Sequence, residues 1–282
     1  MRHVTKNLGV SVRRACRVIG LSRESLRYKL KRPEMDKPLI KDMRRLAALH
    51  PDWGCRKIWS LLRTEGWKVN HKRVERLWRQ EGLGLKRKRR KARHKGEEKN
   101  SCHVRKATKN NQVWSVDFVS DQTEDGRGLK ILTVLDEWSR EALAAHVARK
   151  MGHKEVVEVL QGLVAKRGAP QFIRSDNGSE FVASGLVKAM KALGVETAYV
   201  APGSPWQNGR NERLNGVLRY ELLDREVFGT LAHAQVMHDK WRRRYNEVRP
   251  HGALNFKTPA AFAKHERHRG AVYRAETASD SH

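Results

Sequence analysis

Three acidic residues stand where a metal-dependent phosphoryl-transfer site could be built: Asp117, Asp176 and Glu212. Asp117 ends a strand-like run, Val113-Trp-Ser-Val. Asp176 closes a short β-like run, Gln171-Phe-Ile-Arg, and opens an Asp-Asn-Gly turn within Arg174-Ser-Asp-Asn-Gly-Ser-Glu-Phe. Glu212 lies 36 positions later, after a segment broken by Pro202, Gly203 and Pro205 and inside a helical pattern. Phosphoryl transfer on DNA needs an attacking oxygen made nucleophilic and a leaving oxygen stabilised, and two divalent ions do both in an in-line displacement. Mg²⁺ takes hard carboxylate oxygens and water, so three acids on separate rigid elements suit it without any cysteine or histidine. Singly, each acid also has an ordinary reading. Asp117 could be a surface strand-end aspartate, Asp176 a turn residue, and Glu212 a solvated helix residue.

The positioning elements follow from hydrophobic patterning. From Gln112 onward, Val113–Ser120, Lys130–Asp136 and Glu141–Ala148 read as a three-strand meander. An amphipathic helix over Lys154–Arg167, a strand over Gln171–Arg174, a helix from Phe181 to Gly194 and a strand over Thr197–Val200 come next. Helices over Gln207–Arg225 and Leu231–Val248 complete the plan. This is an α/β, ribonuclease-H-like mixed sheet. Ahead of it the chain is helical. Val12, Ala15, Cys16 and Ile19 form one face, Gly20 a turn, and Ser22 an N-cap before Leu26 and Leu30, which is helix-turn-helix spacing. A second pair follows at 50–83, where Arg73, Arg76 and Arg79 recur beside the apolar stripe of Val74, Leu77 and Trp78.

Charge divides the chain the same way. Residues 1–110 hold 34 Lys+Arg against 10 Asp+Glu, whereas residues 111–282 hold 25 against 21. The front is an electrostatic footprint for a polyanion. Residues 86–95 carry eight Lys+Arg in ten positions, including Lys86, Arg87, Lys88, Arg89 and Arg90, and read as a linker or arm for DNA phosphates. A nuclear-localisation signal is the other reading of such a block. Cys16, Cys55 and Cys102 are scattered, which argues against a disulfide framework and a structural zinc site. With no secretory leader and no apolar run near the ~20 residues of a membrane helix, the expected location is cytoplasmic. The expected divisions are 1–48 and 49–85 for the two helix-turn-helix regions and 86–110 for the basic linker. The catalytic core is expected over 111–228 and a helical C-terminal extension over 229–282.

Three motifs make a family resemblance specific: Trp114-Ser-Val-Asp-Phe, Ser175-Asp-Asn-Gly-Ser-Glu-Phe and Ser204-Pro-Trp-Gln-Asn-Gly-Arg-Asn-Glu-Arg. With the tail Tyr245-Asn-Glu-Val-Arg-Pro-His-Gly-Ala-Leu-Asn-Phe-Lys-Thr-Pro, they resemble the DDE integrases and transposases. More narrowly, the chain resembles the OrfB transposases of bacterial insertion sequences, the family of insertion sequence three. His50-Pro-Asp-Trp-Gly-Cys-Arg-Lys-Ile with Val69-Asn-His-Lys-Arg-Val resembles that family's upstream helix-turn-helix. The resemblance implies Asp117, Asp176 and Glu212 as ligands of two catalytic Mg²⁺ ions, with Mn²⁺ as a substitute. It implies a basic residue seven positions beyond the glutamate, here Arg219, which a helix turning about 700° over seven residues returns to the same face. It gives Arg249, Pro250 and His251 architectural roles.

The implied activity is transposition: binding of terminal inverted repeats and target DNA, Mg²⁺-dependent strand cleavage, and strand transfer by a homo-oligomer on DNA. Trp53 and Cys55 replace two tyrosines common in the family, and the His/Cys zinc module of retroviral integrases is lacking. A leucine-rich heptad segment is also lacking upstream, so the product of a preceding reading frame is an expected fused or associated partner. Two competitors remain at this level: a silent DNA-binding regulator of transposition, and a structure-selective nuclease on the same fold.

Overall fold

The computed structural model describes residues 9–27, 32–85, 107–176, 178–199 and 209–265. At the front, α1 (Val12–Ile19) is capped by the Ser11 side chain and ended by Gly20 at φ 72°, and α2 (Arg23–Arg27) follows, its start capped by Ser22. Only Ala15 and Cys16 of α1 are buried, while Val12 and Ile19 of the expected apolar face are exposed. Next comes a helix that the sequence patterning did not predict, α3 (Arg32–Leu49), which carries Pro38 in its interior. Proline lacks an N–H and clashes with the preceding turn, so it hides a helix from patterning. Here burial of Leu39, Met43 and Leu46 offsets that cost.

The pair at 50–83 is α4 (Cys55–Thr64) and α5 (His71–Gln80), the latter capped by the Asn70 side chain. Together with α3 they enclose Trp53, Ile58, Leu62, Val74, Leu77 and Trp78. The basic block at 86–95 lies outside the described residues.

The expected strands are all present: β1 (Val113–Gln122), β2 (Gly128–Asp136), β3 (Ala142–Ala148), β4 (Phe172–Ser175) and β5 (Glu196–Tyr199). They form one mixed sheet in the order β3-β2-β1-β4-β5, antiparallel across β3-β2-β1 and parallel across β1-β4-β5. One correction concerns Asp117, which does not end its strand but is its fifth residue, with five more paired residues beyond it.

Strand alternation divides the apolar residues between two faces. Trp114, Val116, Leu132, Val134 and Ile173 pack under α6 (His153–Arg167), α7 (Ser179–Val182) and α8 (Ser184–Ala192). The expected single helix from Phe181 to Gly194 is thus two, broken at Ala183, whose ψ of 130° is extended. Val119, Leu129, Ile131 and Leu135 face the opposite layer, α9 (Gly209–Leu218) and α10 (Leu231–Glu247). The helix expected over Gln207–Arg225 is α9 continued by one π-helical turn, Arg219–Leu223. On the edge strand β3, side-chain amides of α10 replace a partner strand: Asn246 bonds both backbone groups of Ala142 and Gln235 accepts from Val147 N–H at 2.8 Å. An open edge is thereby blunted. Among the described residues no helix is long and apolar enough to cross a membrane.

Candidate active site

Adjacent strands bring the first two acids near each other. β1 and β4 run parallel, with Ser115 beside Arg174. The pairing ends there; Asp176, the first residue past β4, lies close enough for its negative charge to act on Asp117. Asp117 belongs to the sheet face that α9 covers, since its antiparallel partner Thr133 also meets α9. Asp176 folds back on its own turn, its Oδ1 accepting the Gly178 N–H at 3.0 Å. A Cβ on Gly178 would stand 3.1 Å from that oxygen, so a glycine keeps the turn tight. On the far face, Phe181 of α7 stacks on Phe118 with centroids 5.0 Å apart, tying the segment after Asp176 to the strand of Asp117.

Glu212 lies in the first turn of α9 and is exposed. One turn on, Asn215 donates from Nδ2 to Asp117 Oδ2 at 2.8 Å, and its Oδ1 lies 2.9 Å from the Thr133 hydroxyl. The other carboxylate oxygen of Asp117 accepts the Phe118 N–H at 2.8 Å. Each oxygen of Asp117 therefore has one donor, and the amide between Thr133 and Asp117 is oriented because its carbonyl would be repelled by the carboxylate. Asn215 and Thr133 were missed in the sequence. The available signal was a polar residue between the buried Leu214 and Leu218, and a threonine within the apolar run of β2.

The electrostatics register the crowding of acids. Burial pushes the Asp117 carboxyl up to about 6, with the negative charges of Asp176 and Glu212 adding to it and the Phe118 and Asn215 donors opposing it. The carboxylates are near enough to repel, yet they form no closed ligand shell. Among the described residues, no three His, Cys, Asp or Glu side chains are grouped to hold one ion. The donor set nevertheless fits a hard divalent cation. It is all oxygen, one member is destabilised by its neighbours' charge, and Mg²⁺ typically takes only one or two protein carboxylates with water and substrate phosphate filling the rest.

A second ionic group lies beside the acids, and sequence reasoning missed it as well. Glu137, just past β2, is buried and binds two arginines: Arg174 of β4 at 2.6 Å and Arg210 of α9 at 2.8 Å. Arg219 opens the π turn and is exposed, with Nη2 3.5 Å from the Ser120 carbonyl. The remaining basic candidates are divided. Arg73 and Arg76 both grip Asp36 of α3, a buried carboxylate, and Arg79 pairs with Glu75 of its own helix. The arginine stripe on α5 therefore staples α5 to α3 as well as facing solvent. Lys86, Arg87, Lys88, Arg89 and Arg90 lie outside the described residues, as do Asn177 and the Ser204–Asn208 part of the third motif. Arg249 bonds Glu221 of the π turn at 2.7 Å in the interior, consistent with an architectural tail.

Comparison with known proteins agrees with this architecture. Two models described as "Integrase core domain" match residues 107–205 and 193–259, and one described as "HTH-like domain" matches residues 34–92. A 31.7 kDa protein of insertion element IS407 from Burkholderia multivorans is 38% identical over 95% of each chain. The chain belongs to the insertion-element transposases of the insertion sequence three family. The Escherichia coli transposase InsD of insertion element IS2 is 28% identical over 76% of this chain and 74% of its own. Among solved structures, the magnesium-bound catalytic core of the human T-cell lymphotropic virus 2 integrase is 18% identical, with a TM-score of 0.45 over 55% of this chain and 98% of that one. The integrase-core transposase fold, led by a helix-turn-helix-like unit, is thus the frame in which the three acids stand.

Proposed function

We propose that this transposase cleaves the strands at the terminal inverted repeats of its element and transfers the freed 3′-hydroxyl to another strand, using Asp117, Asp176 and Glu212 as the carboxylates of a divalent-metal site. The observation that supports the reading is the convergence of those acids: Asp117 lies on β1, Asp176 follows the parallel neighbour β4 and acts on Asp117 electrostatically, and Glu212 lies on a helix tied to Asp117 through Asn215. Three repelling carboxylates beside one another destabilise a protein that only binds DNA. They suit one that holds cations against phosphate.

Mg²⁺ ions held there would supply Lewis-acid stabilisation of the attacking and leaving oxygens. The chain's own residues provide the rest. Asn215 and the Phe118 N–H hold Asp117 in its ionised, oriented form, opposing burial and like charge. The Asp176 turn presents its carboxylate from a segment anchored by Phe181 on Phe118. Arg219, on the helix of Glu212, offers a cation to substrate phosphate, and the basic front of the chain supplies a larger, salt-sensitive attraction for DNA. Arg79 and Lys72 on α5, with the block at 86–90, are the proposed phosphate contacts. Arg73 and Arg76 contribute mainly by fixing α5.

The test is a supercoiled plasmid carrying the element's two ends, incubated with wild type or Asp117→Asn in Mg²⁺ or EDTA. The expected result is nicked and joined product only with wild type and Mg²⁺, while Asp117→Asn still binds the ends. Binding without any product from wild type would refute the reading in favour of a silent regulator. Equal cutting of plasmids that lack the ends would point to a nuclease.

A further inference from the structure

Two of the acids, Asp176 just past β4 and Glu212 in α9, stand on elements that share no backbone hydrogen bond among the described residues. A buried carboxylate joins these elements. Glu137 gives one oxygen to each of two arginines: Oε1 accepts from Arg174 Nη1 at 2.6 Å and Oε2 accepts from Arg210 Nη1 at 2.8 Å. Arg210 Nη1 also donates to the Glu137 backbone carbonyl at 3.2 Å. The Glu137 side chain is only 1% exposed and that of Arg174 is 8% exposed. Arg174 lies in β4 two residues before Asp176, the first residue past the strand. Arg210 precedes Glu212 by two residues in the opening turn of α9.

We infer that Glu137 is a positioning residue for the proposed strand cleavage and transfer: through Arg174 and Arg210 it fixes the spacing between the Asp176 strand and the Glu212 helix. The inference rests on that proposed function for its catalytic consequence, although the bridge itself does not. Removing three charges from water is costly, and apolar side chains of similar size would pack the position at lower cost. What an ionic bridge supplies that apolar packing does not is direction. Charge-assisted bonds near 2.7 Å hold planar guanidinium groups in one orientation, and a carboxylate with one cation on each oxygen leaves neither arm free to slide. Reacting groups tolerate displacements of only about 0.5 Å before rates fall. A helix whose apolar contacts, Leu214 and Leu218, begin beyond its first turn needs such a tie at its start.

Arg210 is the safer arm to cut, because its side chain is 29% exposed and its loss strands no fully buried cation. The full-length Arg210→Gln variant is compared with wild type by amide hydrogen exchange, and by single-turnover cleavage of the end-bearing plasmid at saturating DNA and Mg²⁺. Glu137→Gln serves as the second variant. The amides of residues 213–217, the first in α9 with partners inside the helix, are expected to exchange about tenfold faster. The cleavage rate is expected to fall about tenfold or more, with end binding unchanged and the variant still folded at the assay temperature. Arg210→Lys, which keeps the charge, should restore part of the rate. Unchanged exchange in both variants overturns the inference whatever the activity. Faster exchange with a wild-type rate overturns it too, because the bridge would then be structural only. A wild-type chain that never cuts removes the proposed function instead, leaving the bridge to stand or fall on exchange alone.

Discussion

Replacing Asp117 with asparagine should make the metal-free protein more stable while destroying its proposed activity. The Asp117 carboxyl sits at about 6 rather than its ordinary 3.8, because of burial first and then its two acidic neighbours. The folded chain therefore keeps this proton up to about pH 6, whereas the unfolded chain releases it near pH 4. This group's contribution to stability is fully present below the unfolded value and is lost as pH rises through the folded one. At about 1.4 kcal/mol per unit, a shift of roughly two units costs about 3 kcal/mol above pH 7. Asparagine has no such proton and recovers that amount.

The substitution gives back part of the gain. Asparagine has a single acceptor where aspartate used both oxygens, so one charge-assisted bond becomes a neutral one, a loss of about 1 kcal/mol. No donor need be stranded. If the new amide keeps its oxygen on the Phe118 N–H, Asn215 can turn over and accept from the new NH₂ while donating to the Thr133 hydroxyl. That hydroxyl already lies 3.1 Å from the Asp117 carbonyl and can donate to it instead. The expected net gain is about 2 kcal/mol at pH 7.5 in EDTA, fading to nothing near pH 4. Urea unfolding of both proteins at the two pH values measures it. A variant no more stable than wild type at pH 7.5 would refute the reasoning, and so would a gain of equal size at pH 4, which would indicate packing in place of charge.

Three further outcomes are expected. Asn215→Ala removes the donor to Asp117 Oδ2, so the carboxyl should climb about one further unit, read by carboxyl-carbon NMR titration of the metal-free chain. Asp36→Ala leaves Arg73 and Arg76 without their shared partner. Burial raises that carboxyl but the two arginine hydrogen bonds outweigh it and hold it below its ordinary value, so the tie is present at neutral pH and lost in acid. Because both arginines are partly exposed and screened by solvent, the helical unit of α3–α5 should lose about 1 kcal/mol in chemical unfolding at pH 7, whereas Arg79→Ala should change stability little and weaken DNA binding. Burial pushes the Cys55 thiol up to about 11, so mass spectrometry after maleimide treatment at pH 8 should find Cys55 unlabelled in the native protein.

The legible part of this fold was the part written in periodicity. Alternating residues such as Trp114, Val116, Leu132 and Val134 announce strands, and the spacing of Val156 and Leu160 announces α6. The acids were singled out because their local motifs resemble those of a family, not because spacing alone marks them. Helix α3 was hidden by Pro38, whose local preference is overruled by a tertiary core that no single window contains. Asn215, Thr133 and Glu137 were hidden for a related reason. Each is 16 to 98 residues from at least one partner, and a polar residue within an apolar run looks like noise until its partner is placed opposite it. The arginine stripe on α5 has a second role that the chain alone does not show: two of its three members close on Asp36.

The helix of Glu212 is held by polar ties at its start, middle and end, and their sources explain why the acids depend on the whole chain. Arg210 ties the first turn to Glu137 and Asn215 ties the middle to Asp117. At the end the α pattern loosens into the π turn, which places Glu221 in the interior against Arg249 of the tail and Lys57 of α4, the latter 3.7 Å away. Burial pushes the Lys57 ammonium down to about 8, so near neutral pH it is still mostly charged against Glu221. Asp52, also from the helical unit, pairs with Arg225 just beyond the turn, and the Ser60 hydroxyl bonds the Phe256 carbonyl at 3.0 Å. The front unit is therefore docked onto the far end of the helix whose near end presents Glu212. A π turn inserts one residue into an otherwise regular ladder, which rotates the residues after it relative to those before it. Here that rotation lets one face of the helix serve the acids while the next turn serves the docking of the helix-turn-helix-like unit.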